Sequence, residues 1–273
     1  MIYVSYAQLA KDIVAFSEKL PAYDAIIGIP RSGMPAATML ALHRNVALGD
    51  SESLAAGRFY FGGARSPDGK IKRVLVLDDS VLSGKQMEKT KRQLQGAGLE
   101  IHFGCMYMKP GSARHVDVYY KEAQLPRIFE WNFFHGYWMK YACLDIDGVL
   151  CRDPLKAEND DDHMYAKFLE TVPARRVPTV RINTLVTSRL EKYRPHTETW
   201  LARQGIEYTK LIMHPATSGA ARRKAGDHAQ RKAEVYTDAQ YQLFVESSSR
   251  QAEIIHQMCS KPVLCTDTGV FYA

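Results

Sequence analysis

Two adjacent acids close an apolar run at Val74-Leu75-Val76-Leu77-Asp78-Asp79, and Ser80-Val81-Leu82-Ser83-Gly84-Lys85-Gln86 follows. Four apolar residues read as a buried strand, and in an open α/β sheet ligands bind just outside the carboxyl ends of the strands. Neighbouring carboxylates repel unless a ligand or cation lies between them. A loop of small residues opening a helix offers backbone N–H groups to a phosphate. Acids and loop together would hold a ribose diol and a 5-phosphate. Upstream, Ala25-Ile26-Ile27-Gly28-Ile29-Pro30-Arg31-Ser32-Gly33 again runs from an apolar strand into a small-residue turn, here with a cation, and a helix follows from Ala36 to about His43. A third strand end, Cys143-Leu144-Asp145-Ile146-Asp147-Gly148, spaces its acids by two. Both carboxylates then point the same way and reach one metal and one phosphate. One can attack phosphorus, and the other can protonate the leaving oxygen and later activate water.

The first two motifs resemble the phosphoribosyl-diphosphate (PRPP) signature and the pyrophosphate loop of type I phosphoribosyltransferases. The resemblance implies that Asp78 and Asp79 hold the ribose, with Mg²⁺ shielding their charge. It also implies that Ser80, Leu82, Ser83, Gly84, Lys85 and Gln86 complete the PRPP site, and that Arg31, Ser32 and Gly33 face the leaving diphosphate. Residues from about 141 to 273 resemble the haloacid dehalogenase (HAD) superfamily. That likeness implies Asp145 as nucleophile, Asp147 as acid and base, Thr187 as a hydrogen-bond donor to the phosphoryl group, and Lys232 as the superfamily's lysine. Arg222, Arg223 and Lys224 compete with Lys232 for that last place. Asp145, Asp147 and Glu246 would form the Mg²⁺ site, although Ser247 stands where the commonest pattern has a second acid. An aspartate two residues after the nucleophile implies a phosphatase or phosphomutase.

These motifs must be carried by alternating strands and helices. Strands are expected at 25–29, 73–77 and about 101–107, with short ones at 116–119 and 127–131, and a helix from about Lys85 to Leu94. Leu9, Ile13, Val14, Phe16 and Leu20 share one helix face, with Ser5 as N-cap. The fold class is α/β: a phosphoribosyltransferase parallel-sheet domain over residues 1–139, then a nearly capless HAD-like Rossmannoid domain over 140–273. About 36 residues separate Asp147 from the strand at 184, too few for a large cap. Glu158-Asn159-Asp160-Asp161-Asp162 lies in that insert and reads as a solvated acidic loop before an extra metal site. Residues 57–70 are expected to form a mobile loop. The aromatic run from Phe129 to His135 either lines an acceptor pocket or packs the domain joint, the joint being favoured.

The 273 residues carry a net charge of +6. The surplus lies in the first half, with 18 Lys and Arg against 13 acids in residues 1–140 and 18 against 17 thereafter. A basic surface suits a polyanionic donor, nucleic acid or an anionic head group without choosing among them. No run of about 18 apolar residues occurs, so no membrane span is expected, and the N-terminus lacks the pattern of a signal peptide. Five cysteines form no CxxC pair and read as reduced thiols of a cytoplasmic protein.

Joined in one chain, the two halves imply transfer of 5-phosphoribose from PRPP followed by removal of the 5-phosphate. The whole chain resembles fused phosphoribosyltransferase–HAD proteins associated with bacterial polysaccharide gene clusters and phages. That favours a glycan or lipid-linked glycan hydroxyl as acceptor, and nucleic acid is a disfavoured partner because the charge surplus lies mainly outside the second half. The alternatives are nucleobase salvage with a nucleotidase, an RNA-binding regulator, and a nucleic-acid end-processing phosphatase, since Thr187–Met213 resembles the phosphatase half of polynucleotide kinases. The sequence leaves the oligomeric state open.

Overall fold

The computed structural model describes residues 1–63 and 71–273, so part of the expected 57–70 loop lies outside the described residues. The chain divides into two compact units, Met1–Trp131 and Asn132–Ala273. The division precedes the 139/140 boundary read from sequence. Residues 132–141 are tied to the rest of the second unit, where Asn183 Nδ2 donates to the Lys140 carbonyl at 2.9 Å and His135 Nδ1 lies 3.1 Å from Thr179 Oγ1.

In the first unit, β1 (Ile2–Val4) leads into α1 (Tyr6–Lys19), whose N-cap Ser5 accepts from the Gln8 N–H. Then come β2 (Ala25–Gly28), α2 (Gly33–Arg44), β3 (Ala47–Asp50), α3 (Ser51–Ala55), β4 (Arg73–Val81), α4 (Lys85–Gln93), β5 (Glu100–Met108), β6 (Val118–Glu122) and β7 (Arg127–Phe129). Five strands form a parallel sheet in the order β3-β2-β4-β5-β6, and β1 pairs with β7. The two-residue period of a strand sorts the core. Ile26, Leu75 and Leu77 pack on one face with Leu9, Ile13 and Phe16 of α1. Ile27, Val74 and Val76 pack on the other with Met87 and Leu94. Both faces being covered, the strands read as unbroken apolar runs. β4 continues four residues beyond the expected end at 77, because its pairing with β5 persists to Val81↔Met108. The two acids therefore sit inside the sheet's last rungs. Among the expected loop residues, Tyr60 bridges to Leu48 of β3 through two backbone hydrogen bonds.

The second unit holds β8 (Ala142–Leu144), α5 (His163–Thr171), β9 (Ile182–Leu190), α6 (Arg194–Arg203), β10 (Tyr208–His214), α7 (Gly219–Ala225), α8 (His228–Tyr236), β11 (Leu243–Glu246), α9 (Ser249–Cys259), β12 (Val263–Cys265) and β13 (Phe271–Tyr272). The sheet order is β10-β9-β8-β11-β12-β13, parallel except for β13. Asp145 follows β8 directly and Glu246 ends β11, its neighbour, so the pairing sets both acids at one carboxyl edge. No helix among the described residues is long and apolar enough to cross a membrane.

Candidate functional site

The first unit brings its two motifs together at the carboxyl edge of β2 and β4. Gly33 is what allows the approach. A Cβ there would stand 2.7 Å from the Leu77 carbonyl oxygen and 3.1 Å from Asp78 Oδ1. Behind this contact Asp78 and Asp79 are both buried. Asp78 Oδ1 accepts the Asp79 N–H at 2.9 Å, and Asp79 Oδ2 accepts Trp131 Nε1 at 2.6 Å. Burial pushes the Asp78 carboxyl well above the ordinary carboxylate range, and the Asp79 charge pushes it further. Burial also raises Asp79, with the Trp131 bond opposing.

Beyond the acids, Asp78, Ser80, Leu82, Ser83, Gly84 and Lys85 border a cavity of about 150 Å³, with Gln86 beside them. Gly84, at φ 74°, caps α4, so the helix's unpaired N–H groups open toward this loop. A side chain at Gly84 would collide with the His115 ring, which a Cβ would meet at 2.3 Å. Arg31 is exposed and Ser32 half-buried on the turn before α2. The Trp131 ring stacks on Phe129 with centroids 4.9 Å apart and planes 15° apart. This aromatic pair thus stands beside Asp79 within the first unit.

In the second unit a cavity of about 590 Å³ is bordered by Asp145, Asp147, Ser188, Arg222, His228 and Lys232, among others. Lys232 Nζ, buried, donates to Asp145 Oδ2 at 2.5 Å, Glu246 Oε2 at 2.6 Å and Gln251 Oε1 at 3.1 Å. Of the competing cations, Lys232 is the one at the aspartate. Burial pushes the Asp145 carboxyl up to about 7, against the pull of Lys232 and with help from the Glu246 charge. Glu246 Oε1 accepts the N–H groups of Ser247 and Ser248.

Asp147 departs from the expected arrangement. Its carboxylate is held by the fully buried Arg189, with Nη2 to Oδ1 at 2.7 Å and Nε to Oδ2 at 3.1 Å, and Cys151 Sγ lies 3.4 Å from Oδ1. The side chain expected beside a metal is therefore engaged by a guanidinium, because β9 carries Arg189 under the loop that follows β8. Thr187 keeps its hydroxyl proton available while its oxygen takes a backbone contact. Its Oγ1 accepts the Arg189 N–H at 3.2 Å, and it borders a small adjoining cavity, while Ser188 borders both that cavity and the large one.

Among the described residues no three His, Cys, Asp or Glu side chains converge as a metal site. The donor chemistry nevertheless suits a hard cation. Partial burial of its carboxyl raises Asp153, a residue exposed overall, and the charges of Asp147, Asp267 and Glu246 raise it further, with Arg175 opposing. That excess of carboxylate is what an oxygen-seeking divalent ion relieves. The acidic insert has a structural use instead. Asp160 accepts the N–H groups of Asp162, Met164 and Tyr165, and Asp161 accepts the Gly219 N–H at 2.6 Å and pairs with Lys192.

Residues 5–137 match the family model described as the phosphoribosyl transferase domain. They form a type I phosphoribosyltransferase domain. PRPP is the expected substrate of such a domain. Among solved structures, the Helicobacter pylori xanthine-guanine-hypoxanthine phosphoribosyltransferase is 19% identical, covering 48% of this chain and 91% of its own, with a TM-score of 0.39. A Pyrococcus horikoshii purine phosphoribosyltransferase is 28% identical over 48% of this chain and 92% of its own, with a TM-score of 0.37. An Aeropyrum pernix orotate phosphoribosyltransferase is 22% identical over 38% and 58%, with a TM-score of 0.29. Within the phosphoribosyltransferase domain, sequence reasoning missed the Trp131 bond to Asp79. The indole is 52 residues away in the chain, and only its membership in an aromatic run marked it. It also missed Arg189, although that residue directly follows the Thr-Ser pair at 187–188.

Proposed function

We propose that the chain transfers 5-phosphoribose from PRPP to an acceptor and then removes the 5-phosphate, so that the net product carries ribose. In the first step the C1–oxygen bond to diphosphate breaks, a bond from C1 to the acceptor oxygen forms, and the acceptor gives up its proton. Asp78 and Asp79 accept from the ribose hydroxyls. Arg31, Ser32 and Gly33 face the diphosphate, and the 80–86 loop faces the 5-phosphate. Mg²⁺ would be held with the diphosphate and shield the acids.

The second step follows the HAD resemblance. An Asp145 oxygen attacks phosphorus as the ester oxygen leaves, and water then hydrolyses the aspartyl-phosphate. Asp145 and Glu246 would hold Mg²⁺, which would neutralise phosphoryl charge as the reaction proceeds. Lys232 orients the Asp145 carboxylate. Asp147 can pass a proton only after giving up a bond to Arg189. The observation that carries this reading is the Lys232 ammonium joining Asp145 and Glu246 at the carboxyl edge of β8 and β11. Positioning and charge do most of the work in phosphoryl transfer, and a buried lysine between two carboxylates beside a polar cavity can supply both.

The favoured acceptor is a hydroxyl of a glycan or lipid-linked glycan, because dephosphorylation yields ribose and not a ribotide. A nucleobase acceptor is the second reading, supported by the Phe129–Trp131 stack beside Asp79, a surface suited to a flat ring. Incubation of the protein with PRPP, Mg²⁺ and either glycan acceptors or nucleobases, followed by mass measurement, tests the choice. Ribose gained on a glycan supports the first reading. Ribose or phosphoribose gained only on a base refutes it.

A further inference from the structure

Arg222 borders the larger cavity together with Asp145, Glu246 and Lys232. Its Nη1 donates to the Ser188 carbonyl at 2.7 Å, and its guanidinium lies beside the buried Tyr165 hydroxyl. Its Nε is buried and makes no hydrogen bond among the described residues. No carboxylate pairs with it among those residues either, whereas Arg189, one residue past Ser188, is saturated by Asp147. A buried donor without a partner calls for an explanation, and a bound ligand is one. The position is fixed from two sides. Ser218 caps α7 by accepting the Ala221 N–H, and Asp161 holds the Gly219 N–H. The neighbouring His228 is pushed below its ordinary value, first by burial and then by the charges of Arg222, Lys232 and His214, with Asp227 opposing. Lys232 is balanced by Asp145 and Glu246 and His214 by Asp227, so Arg222 is the cation of this group that no carboxylate pairs among the described residues.

We propose that Arg222 is the phosphate-recognition residue of this cavity, taking the non-bridging oxygens of a phosphate monoester dianion in the space it shares with the Asp145–Lys232 pair. The proposal rests on the phosphatase reading of the cavity. A guanidinium presents a planar fork of donors that matches phosphate, where an ammonium supplies a point charge. Ser188 is the positioning contact, since its carbonyl holds one arm of the fork. The free cavity volume, about 590 Å³, exceeds what one phosphate needs and leaves room for the sugar that carries it.

The test uses the full chain with Mg²⁺ and compares wild type, Arg222→Met and Arg222→Lys. The substrate is ribose 5-phosphate and the competitive inhibitor is inorganic phosphate. Loss of a charge-assisted contact should raise both KM and the phosphate inhibition constant at least about tenfold in Arg222→Met. Arg222→Lys should recover part of the loss, and the melting temperature should stay that of wild type. KM and inhibition constant both within about twofold of wild type in either variant would overturn the proposal. Should Arg222→Met not fold, Arg222→Lys decides alone, because it keeps the charge and removes the fork. The two readings fail separately. A wild-type protein that hydrolyses no phosphomonoester refutes the phosphatase reading, and calorimetric binding of inorganic phosphate then decides on Arg222. Binding lost in the variants supports the site, and binding unchanged in them overturns it.

Discussion

Replacing Lys232 by Met should destabilise the second unit in a pH-dependent way. The ammonium lies 2.5 Å from Asp145 and 2.6 Å from Glu246, and all three groups are buried. At an effective dielectric constant of about 20, each contact is worth about 6 kcal/mol of attraction before desolvation is charged against it. Removing one partner of a buried ion pair costs about 3–5 kcal/mol, because the other charge is left without compensation. For a unit of this size that corresponds to a fall of roughly 10–15 °C in melting temperature. Burial already holds the Asp145 carboxyl up at about 7, and Lys232 is the group that pulls it down. The variant therefore raises it further. A carboxyl whose folded pKa exceeds its unfolded value binds its proton more tightly when folded, so its contribution to stability falls as pH rises. The deficit should be smallest from pH 5 to about 7, where a proton on Asp145 is kept in both proteins and takes over part of the lysine's role, and should grow above about 7. Scanning calorimetry of both proteins between pH 5 and 8 measures it. An equal deficit at both ends, or one below about 1 kcal/mol at pH 8, would refute the reasoning.

Changing Asp78 and Asp79 together to Asn should abolish diphosphate release from PRPP while leaving hydrolysis of a simple phosphomonoester intact; normal PRPP binding in a calorimetric titration would remove these acids from the site. Trp131→Phe deletes the donor that opposes the raised Asp79 carboxyl, so the acidic limb of PRPP binding should move to higher pH, and an unmoved limb contradicts the coupling. Gly33→Ala places a Cβ 2.7 Å from the Leu77 carbonyl. Backbone must then shift, and the expected outcome is a stability loss of about 1–3 kcal/mol with weakened PRPP binding; wild-type binding would show that the turn does not face the ligand.

What could be read in the sequence was local. Acids at the end of an apolar run, a glycine in a turn and a lysine on a helix each carry their pattern within a few residues. Gly33 and Asp78 were both named from such patterns, and β2–β4 pairing brings them into contact. The missed features depend on residues that only the tertiary fold brings near. Arg189 reaches Asp147 across 42 residues, and Trp131 reaches Asp79 across 52. Asp153 and Asp267, which border the larger cavity where Ser247 withholds an acid, sit in loops without any period to flag them. The strand limits at 77 and 131 moved for a related reason. Ladder pairing carried β4 past its apolar run, whereas pairing with β1 ended β7 at Phe129.

The two-step assignment meets its most direct test in Asp145→Asn. With PRPP, Mg²⁺ and an acceptor that wild type modifies, the product masses are read over time. Wild type should leave ribose on the acceptor, and the variant should accumulate phosphoribose at an unchanged rate of diphosphate release. Ribose as the variant's final product, or phosphoribose persisting in wild type, would contradict the assignment.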